Sequence, residues 1–430
     1  MKTFYHLLIN TTFASVMNFT IWFAITFFVY LQTRSVFATG TISGIFLVLT
    51  ASSGIWFGSL VDHHKKKTMM LVSSAVSLVL YIISFVIYIT APENTFKDVS
   101  SITLWVFILL LMFGVIAGNI RGIALPTVVT FLVPEKIRDK ANGLVGTSNG
   151  VGFLVTSVIS GFLVGRSGMY EVLLLTIIVT VAAMIHLAFV SVPEKDVIHT
   201  EDKPKKIDIR GTMKVIGLIP GLGALIVFNS INNLLGGVFM ALMDAYGLSL
   251  VSVQTWGLLW GFLSTAFIIG GLVIAKVGLG KNPVRTMFLA NIAIWVISCF
   301  FTIYPSIYLL VGGMFAYLLL VPFIEASEQT IIQKVVPPER QGRVFGFAQS
   351  VEQAASPLTA FLIGPLTQFI FIPFMTTGAG VDLIGGWFGT GQDRGIALVF
   401  TLTGIVGLVI TLIAMRTKYY PMLSKRYLEK

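Results

Sequence analysis

The chain has 430 residues, of which 56% are hydrophobic and only 11% charged, with a formal net charge of +10. Soluble domains carry about 25% charged residues, so a water-exposed globule is excluded. The bases sit in short loops between greasy runs and not on one face of a domain, which argues against nucleic acid as a partner.

Apolar runs of 18 or more residues, each able to cross a hydrocarbon core of roughly 30 Å, recur along the chain. They predict twelve spans at 11–32, 38–61, 68–90, 102–132, 141–165, 169–192, 219–244, 253–276, 286–304, 306–334, 343–372 and 395–415. The first is long and has no small-residue cleavage site behind a short apolar core, so it reads as a retained span and not a signal peptide. An even count places both termini on one side. The termini and even-numbered loops hold Lys2, Lys65 to Lys67, Lys136, Arg138, Lys140, the bases from Lys195 to Lys214, Lys276, Lys281, Arg285, Lys334, Arg340, Arg343 and five bases from Arg416 onward. The opposite side holds Arg34, Lys97, Arg166 and Arg394. Positive charge marks the cytoplasmic side, so both termini are expected there. Cys299 is the one cysteine and lies in an apolar run, which leaves no internal disulfide.

The longest polar stretch, VPEKDVIHTEDKPKKIDIRG, follows span six. It divides the chain into a six-helix bundle at 1–192, a cytoplasmic linker at 193–214 and a second six-helix bundle at 215–430. The halves repeat: PTVVTFLVPEKIRDKANGL in the first aligns with QTIIQKVVPPERQGRVFGF in the second. At an offset of 203 residues Thr127 matches Thr330, Pro134 matches Pro337 and Gly143 matches Gly346. GSLVD at Gly58 to Asp62 has an echo in GGLVI at Gly270 to Ile274. Parallel six-span repeats describe a transporter with its substrate held near mid-membrane at the repeat interface.

The loop after span two, GSLVDHHKKKTMM, places a glycine, an aspartate four residues on and then a basic cluster. It resembles the signature loop of the major facilitator superfamily, with His63 and His64 at positions where an arginine and a spacer are common. VPEKIRDKANGL and VPPERQGRVFG are similar to the drug–proton antiporter branch that includes bacterial macrolide-efflux proteins. The resemblance spans the whole chain and implies an all-α, two-bundle major facilitator fold. It also implies a central cavity lined by spans one, four, seven and ten, and places span eleven opposite Asp62. Physically, Asp62 is a carboxylate that a helix N-terminus would attract, and Lys65 to Lys67 are candidates to pair with Glu135 or Asp139. Asp62, Lys65 and Lys66 are the expected gating residues. The plainer alternative is that the bases only set topology.

An ionisable group at bilayer centre costs at least about 2.5–3.5 kcal/mol, so each one is a candidate site. Glu325, Glu328 and Glu352 fall inside spans, Asp244 lies near the outer end of span seven, and Arg121 is the one deep base. At about 1.5 Å per residue, Glu325, Glu352 and Arg121 sit roughly 14–17 Å from the cytoplasmic ends of their spans. The resemblance likens Arg121, in GNIRGIALP, to the span-four arginine of proton-dependent members. Glu325 and Glu328 are three apart, on one helical face. Glu325 is expected to carry a coupling proton, with Glu328 or Glu352 as its partner and Arg121 as the charge that switches their proton affinity. A structural ion pair or plug is the alternative. His186 reads as a packed core histidine. Asn18, Trp22, Asn229, Asn232, Asn233, Phe239, Asp244, Tyr317 and Gln329 are the candidate cavity residues; the amides among them could equally bond across helices.

The chain shows no phosphate-binding loop, no cysteine–histidine metal cluster and no nucleophile–base arrangement, so no cofactor, no metal and no enzymatic reaction are expected. The expected function is proton-coupled export of a small amphipathic compound or drug by a monomer in a bacterial plasma membrane. Its partners would be that small molecule, protons and membrane lipid. A lipid, siderophore or metabolite transporter of the same fold is the alternative within transport, and a non-cycling membrane receptor the alternative outside it.

Overall fold

The computed structural model describes residues 2–33, 36–194 and 208–429. Its long helices are α1 Lys2–Thr33, α2 Val36–His63, α3 Lys66–Thr90, α4 Ile102–Leu132, α5 Arg138–Ser167 and α6 Tyr170–Phe189 in the first half. In the second half they are α7 Leu222–Leu250, α8 Val253–Val277, α9 Pro283–Phe300, α10 Ile307–Val335, α11 Gln341–Leu366 and α12 Gln392–Arg416. No strand occurs among the described residues. Eleven stretches among them are long and apolar enough to cross a membrane, and α5, with 30 residues, is the twelfth by length. It is the most polar of the twelve, opening on Arg138, Asp139 and Lys140 and rich in glycine, serine and threonine. The all-α, twelve-span reading agrees with this architecture. Most of the predicted linker, at 195–207, lies outside the described residues, as do Arg34 and Lys195; the end of the linker enters the short helix Ile209–Leu218.

Spanning a bilayer as helix satisfies each backbone N–H and C=O within the segment. Interruptions therefore have local causes. α4 is broken at Asn119 into Ile102–Gly118 and Ile120–Leu132. α11 contains Pro357 and Pro365, and the second is followed by a π turn at Thr367–Phe371. A proline lacks the N–H that its turn requires, so the ladder widens there.

The helices group into two compact units. The first comprises Met1–Arg138, Ser148–Met213 and Val336–Ser350; the second comprises Asp139–Thr147, Lys214–Val335 and Val351–Lys430. The first turns of α11 thus belong with the first half of the chain, and the first turns of α5 with the second. In the first unit Phe28, Phe96 and Phe107 form an edge-to-face cluster, and Tyr81 packs on Gly114, where a Cβ would overlap its ring. In the second unit Phe239 stacks on Phe400 at 5.1 Å and contacts Phe301 and Tyr317. Such pairs stabilise by about 0.5–1.5 kcal/mol each beyond the area they bury.

Candidate functional site

The first unit contains a carboxylate lock. Asp62, in the last turn of α2, is 3% exposed. Its Oδ1 accepts the Gly342 N–H at 2.7 Å and its Oδ2 the Arg343 N–H at 2.9 Å. These are the free N–H groups of the first turn of α11, where the helix dipole is positive. The approach needs glycine: a Cβ at Gly346 would overlap the Gly54 carbonyl, and one at Gly58 the Gly342 carbonyl. Arg343 adds its side chain, with Nε 3.7 Å from Asp62 Oδ2 and an amino group 2.8 Å from His63 Nε2. Arginine only donates, so His63 accepts at Nε2, and its Nδ1 then donates to the Ser59 carbonyl at 2.7 Å. His63 thus binds Arg343 as a neutral imidazole. The basic loop is held separately. The backbone N–H groups of Lys66 and Lys67 donate to the Glu194 carboxylate at 2.6 and 2.8 Å. The Lys66 ammonium is buried over the Phe131 ring at 5.9 Å, and Lys65 is exposed. Asp139, a predicted partner of these lysines, instead accepts the Leu279 N–H at 2.8 Å within the second unit.

Arg121 is 2% exposed, and its guanidinium is met by neutral groups of the first unit. It donates to Asn10 Oδ1 at 2.8 Å and through two nitrogens to Ser74 Oγ at 3.2 and 2.6 Å. The Asn10 amide in turn donates to the Ala183 carbonyl at 2.7 Å and faces His186 Nδ1 at 3.0 Å. His186 is therefore part of this network and not only a packed core residue. Asn18 sits beside it, donating to the Val115 carbonyl and accepting from Tyr81. Trp22 is stacked on Phe46 at 3.8 Å. Both Asn18 and Trp22 are thus engaged by helices of their own unit.

The acids gather in the second unit. Glu325 and Glu328 on α10 lie within electrostatic reach of each other, Glu328 lies against Glu352 of α11, and Asn229 of α7 faces both of the latter. The contacts are loose: Glu352 Oε1 and both amide atoms of Asn229 are buried without a well-aligned hydrogen bond, as is Gln329 Oε1. Among the described residues no lysine or arginine forms an ion pair with these three acids. Asn232 accepts from the Trp295 indole at 2.9 Å and so joins α7 to α9, whereas Asn233 donates back to the Asn229 carbonyl within α7 at 3.1 Å. Phe239, Tyr317 and Asp244 line a cavity of about 170 Å³. α7 runs to Leu250, which puts Asp244 six residues inside its end.

Two features were not legible beforehand. Arg394, placed in an outer loop by the sequence pattern, is 2% exposed in the first turn of α12. It donates to the Phe388, Thr302 and Ile303 carbonyls and to the Tyr246 hydroxyl at 2.7–3.1 Å, and its guanidinium lies 4.2 Å from the Phe388 ring centre. Arg394 is thus as buried as Arg121, though it lies at the end of its helix and not deep within a span. The other feature is the pair of indoles on Asp244, described below.

Comparison with known proteins agrees with this arrangement. Residues 7–360 match the model of the Major Facilitator Superfamily. The chain is similar to Macrolide efflux protein A of Streptococcus pyogenes, at 24% identity over 79% of this chain and 83% of the relative. Among solved structures it resembles a bacterial homologue of the iron transporter ferroportin, with a TM-score of 0.72 at 13% identity over 97% of this chain and 100% of that one. It also resembles the human organic anion transporter MFSD10, with a TM-score of 0.71 at 10% identity over 95% and 99%. Twelve long helices, the Asp62 loop on α11 and a family match over most of the length lead to one conclusion: the chain is a multi-pass membrane transporter of the major facilitator superfamily.

Proposed function

We propose that this transporter exports small amphipathic compounds from the cytoplasm by alternating access, coupled to proton entry through the Glu325–Glu328–Glu352 cluster. The observation that carries the proposal is three acids from two helices within reach of one another, two of them facing Asn229, with no ion-pair partner among the described residues. Two carboxylates in one water-poor site repel strongly when both are ionised, and a proton between them removes the repulsion. Such a cluster responds to a change in its surroundings by taking up or releasing a proton, which is what coupling requires. The motor is adequate: one proton moving down 100 mV yields about 2.3 kcal/mol, and one pH unit adds about 1.4 kcal/mol.

Export of drug-like molecules is supported by the name of the macrolide-efflux relatives. The excess of bases in the termini and even-numbered loops supports a bacterial plasma membrane location with both termini cytoplasmic. Asp62 on the first turn of α11 serves as the gating contact, and the basic loop of Lys65 and Lys66 that follows it is held by Glu194 at the Lys66 and Lys67 N–H groups.

Reconstitution tests the proposal. With a labelled macrolide as first probe, Glu325→Gln should abolish uphill transport driven by a pH gradient and preserve substrate exchange, because the amide mimics the protonated acid. Normal gradient-driven accumulation in both Glu325→Gln and Glu328→Gln would refute it.

A further inference from the structure

The second unit holds a built site that the proton cluster does not use. On α7, Asp244 Oδ1 accepts the indole N–H of Trp256 at 2.9 Å and that of Trp260 at 3.1 Å. The two tryptophans are four apart on α8, so both project toward the same stretch of α7, and their rings meet edge to face at 5.9 Å. Gly247, one turn beyond Asp244, makes this possible: a Cβ there would overlap the Trp256 ring. Trp256 is consequently 4% exposed and fixed.

The clamp holds the carboxylate without neutralising it. Indoles are neutral donors. Both bonds go to Oδ1, and Oδ2 receives no donor from the described residues. Asp244 lines the 170 Å³ cavity, and no lysine, arginine or histidine is among the described residues that line it. The walls are the aromatic rings of Phe239, Trp260 and Tyr317, with Met243 and Met314 between them. A carboxylate with no counter-charge, held at an aromatic and thioether-lined opening, is a site lacking one positive charge. Metal ions are a poor fit, since calcium takes six to eight oxygen ligands and no group of three acids, histidines or cysteines able to hold a metal ion occurs among the described residues. An organic ammonium fits each feature. Its charge meets Oδ2, its alkyl groups lie on aromatic faces that attract cations, and methionines adapt to differing shapes.

We infer that the cavity lined by Asp244 and Trp260 binds the ammonium head of an amphipathic organic cation. The volume sets the size. Pockets for drug-sized ligands measure about 300–1,000 Å³, so 170 Å³ accommodates a small aryl or alkyl ammonium whole, or the head of a larger molecule. The site gives the carrier proposed above a substrate class and depends on that reading only for the fate of the ligand; the binding step stands alone.

The test uses full-length protein in detergent and two probes of similar shape. Trimethylanilinium carries a permanent charge; N,N-dimethylaniline is neutral at pH 7.5. Calorimetric titration should show saturable binding of the cation, at least about tenfold tighter than that of the neutral amine. Asp244→Asn should weaken the cation about tenfold and change the neutral amine less than about twofold. Trp260→Leu should weaken the cation, and Trp260→Phe, which keeps a ring face, should restore most of the loss. Equal affinity for the two probes in the unmodified protein overturns the inference without any variant, as does cation binding that Asp244→Asn leaves unchanged or that is absent altogether. No gradient is involved, so failure here removes the site and leaves proton coupling standing. Loss of coupling in the reconstituted system, with binding intact, would do the reverse.

Discussion

The two units bury charge in opposite ways. In the first, Arg121 is a cation whose donors end on Asn10 and Ser74, side chains that stay neutral. In the second, Glu328 and Glu352 face each other and an amide, with atoms left unbonded. A buried ion surrounded by aligned hydrogen bonds is costly to alter in any direction. Loosely held acids can exchange a proton with little rearrangement. The first unit's guanidinium is therefore a fixed part of its packing, and under the proposed function the second unit's carboxyls are the groups that titrate.

Substitutions separate these roles. The largest expected effect is structural: Arg121→Met orphans the Asn10 oxygen and removes bonds to a charged group, each worth about 1.5–3 kcal/mol. Its thermal unfolding midpoint in detergent should fall sharply, whereas Glu352→Gln, whose Oε1 makes no well-aligned bond, should stay within about 1 kcal/mol of the parent. Equal losses in the two variants would erase the contrast.

Arg394 sharpens the comparison because it places a fixed cation in the second unit as well. Its partners are three carbonyls and a phenol hydroxyl, so Arg394→Met should destabilise by about 2–3 kcal/mol. Exchange transport, scaled to the folded fraction, should remain near normal. A selective loss of coupling in this variant would show that fixed cations also tune the acids.

A smaller effect is expected at Asp62. Asp62→Asn loses most of the charge interaction with the first turn of α11, about 2 kcal/mol at most for a buried site. Turnover should slow by up to about thirtyfold with expression retained. Unchanged turnover would reduce Asp62 to a marker of topology.

Much of this was legible in the sequence because the bilayer restricts the choices. A run of 20 apolar residues has few alternatives to a spanning helix, and an acid inside one stands out. Glu325, Glu328 and Glu352 were visible for that reason, and Asp62 because it ends a span before a basic cluster. Groups from different helices could be expected to meet only where depth, as for Glu325 and Glu352, or the family resemblance, as for Asp62 and span eleven, suggested it. Nothing in the spacing of Glu328 and Glu352, 24 residues and a turn apart, shows that their side chains meet. The clamp on Asp244 depends on Gly247 admitting Trp256, which a pattern of apolar residues does not encode. Arg394 escaped because GTGQDRG reads as a polar loop, whereas Gln392 opens α12 and carries the arginine into its first buried turn. Asp139 was a predicted partner for the basic loop by charge alone; it caps a backbone N–H in the other unit instead.

The central claim is that the second unit's acids carry the coupled proton, and proton movement itself is the direct measurement. Proteoliposomes loaded with a pH-sensitive dye and given only a macrolide gradient should acidify or alkalinise as substrate crosses, with protons moving opposite to substrate. Glu325→Gln should exchange macrolide at a measurable rate with no dye response, and Arg394→Met should retain one. A dye response in Glu325→Gln, Glu328→Gln and Glu352→Gln equal per substrate to that of the unmodified protein would contradict the account.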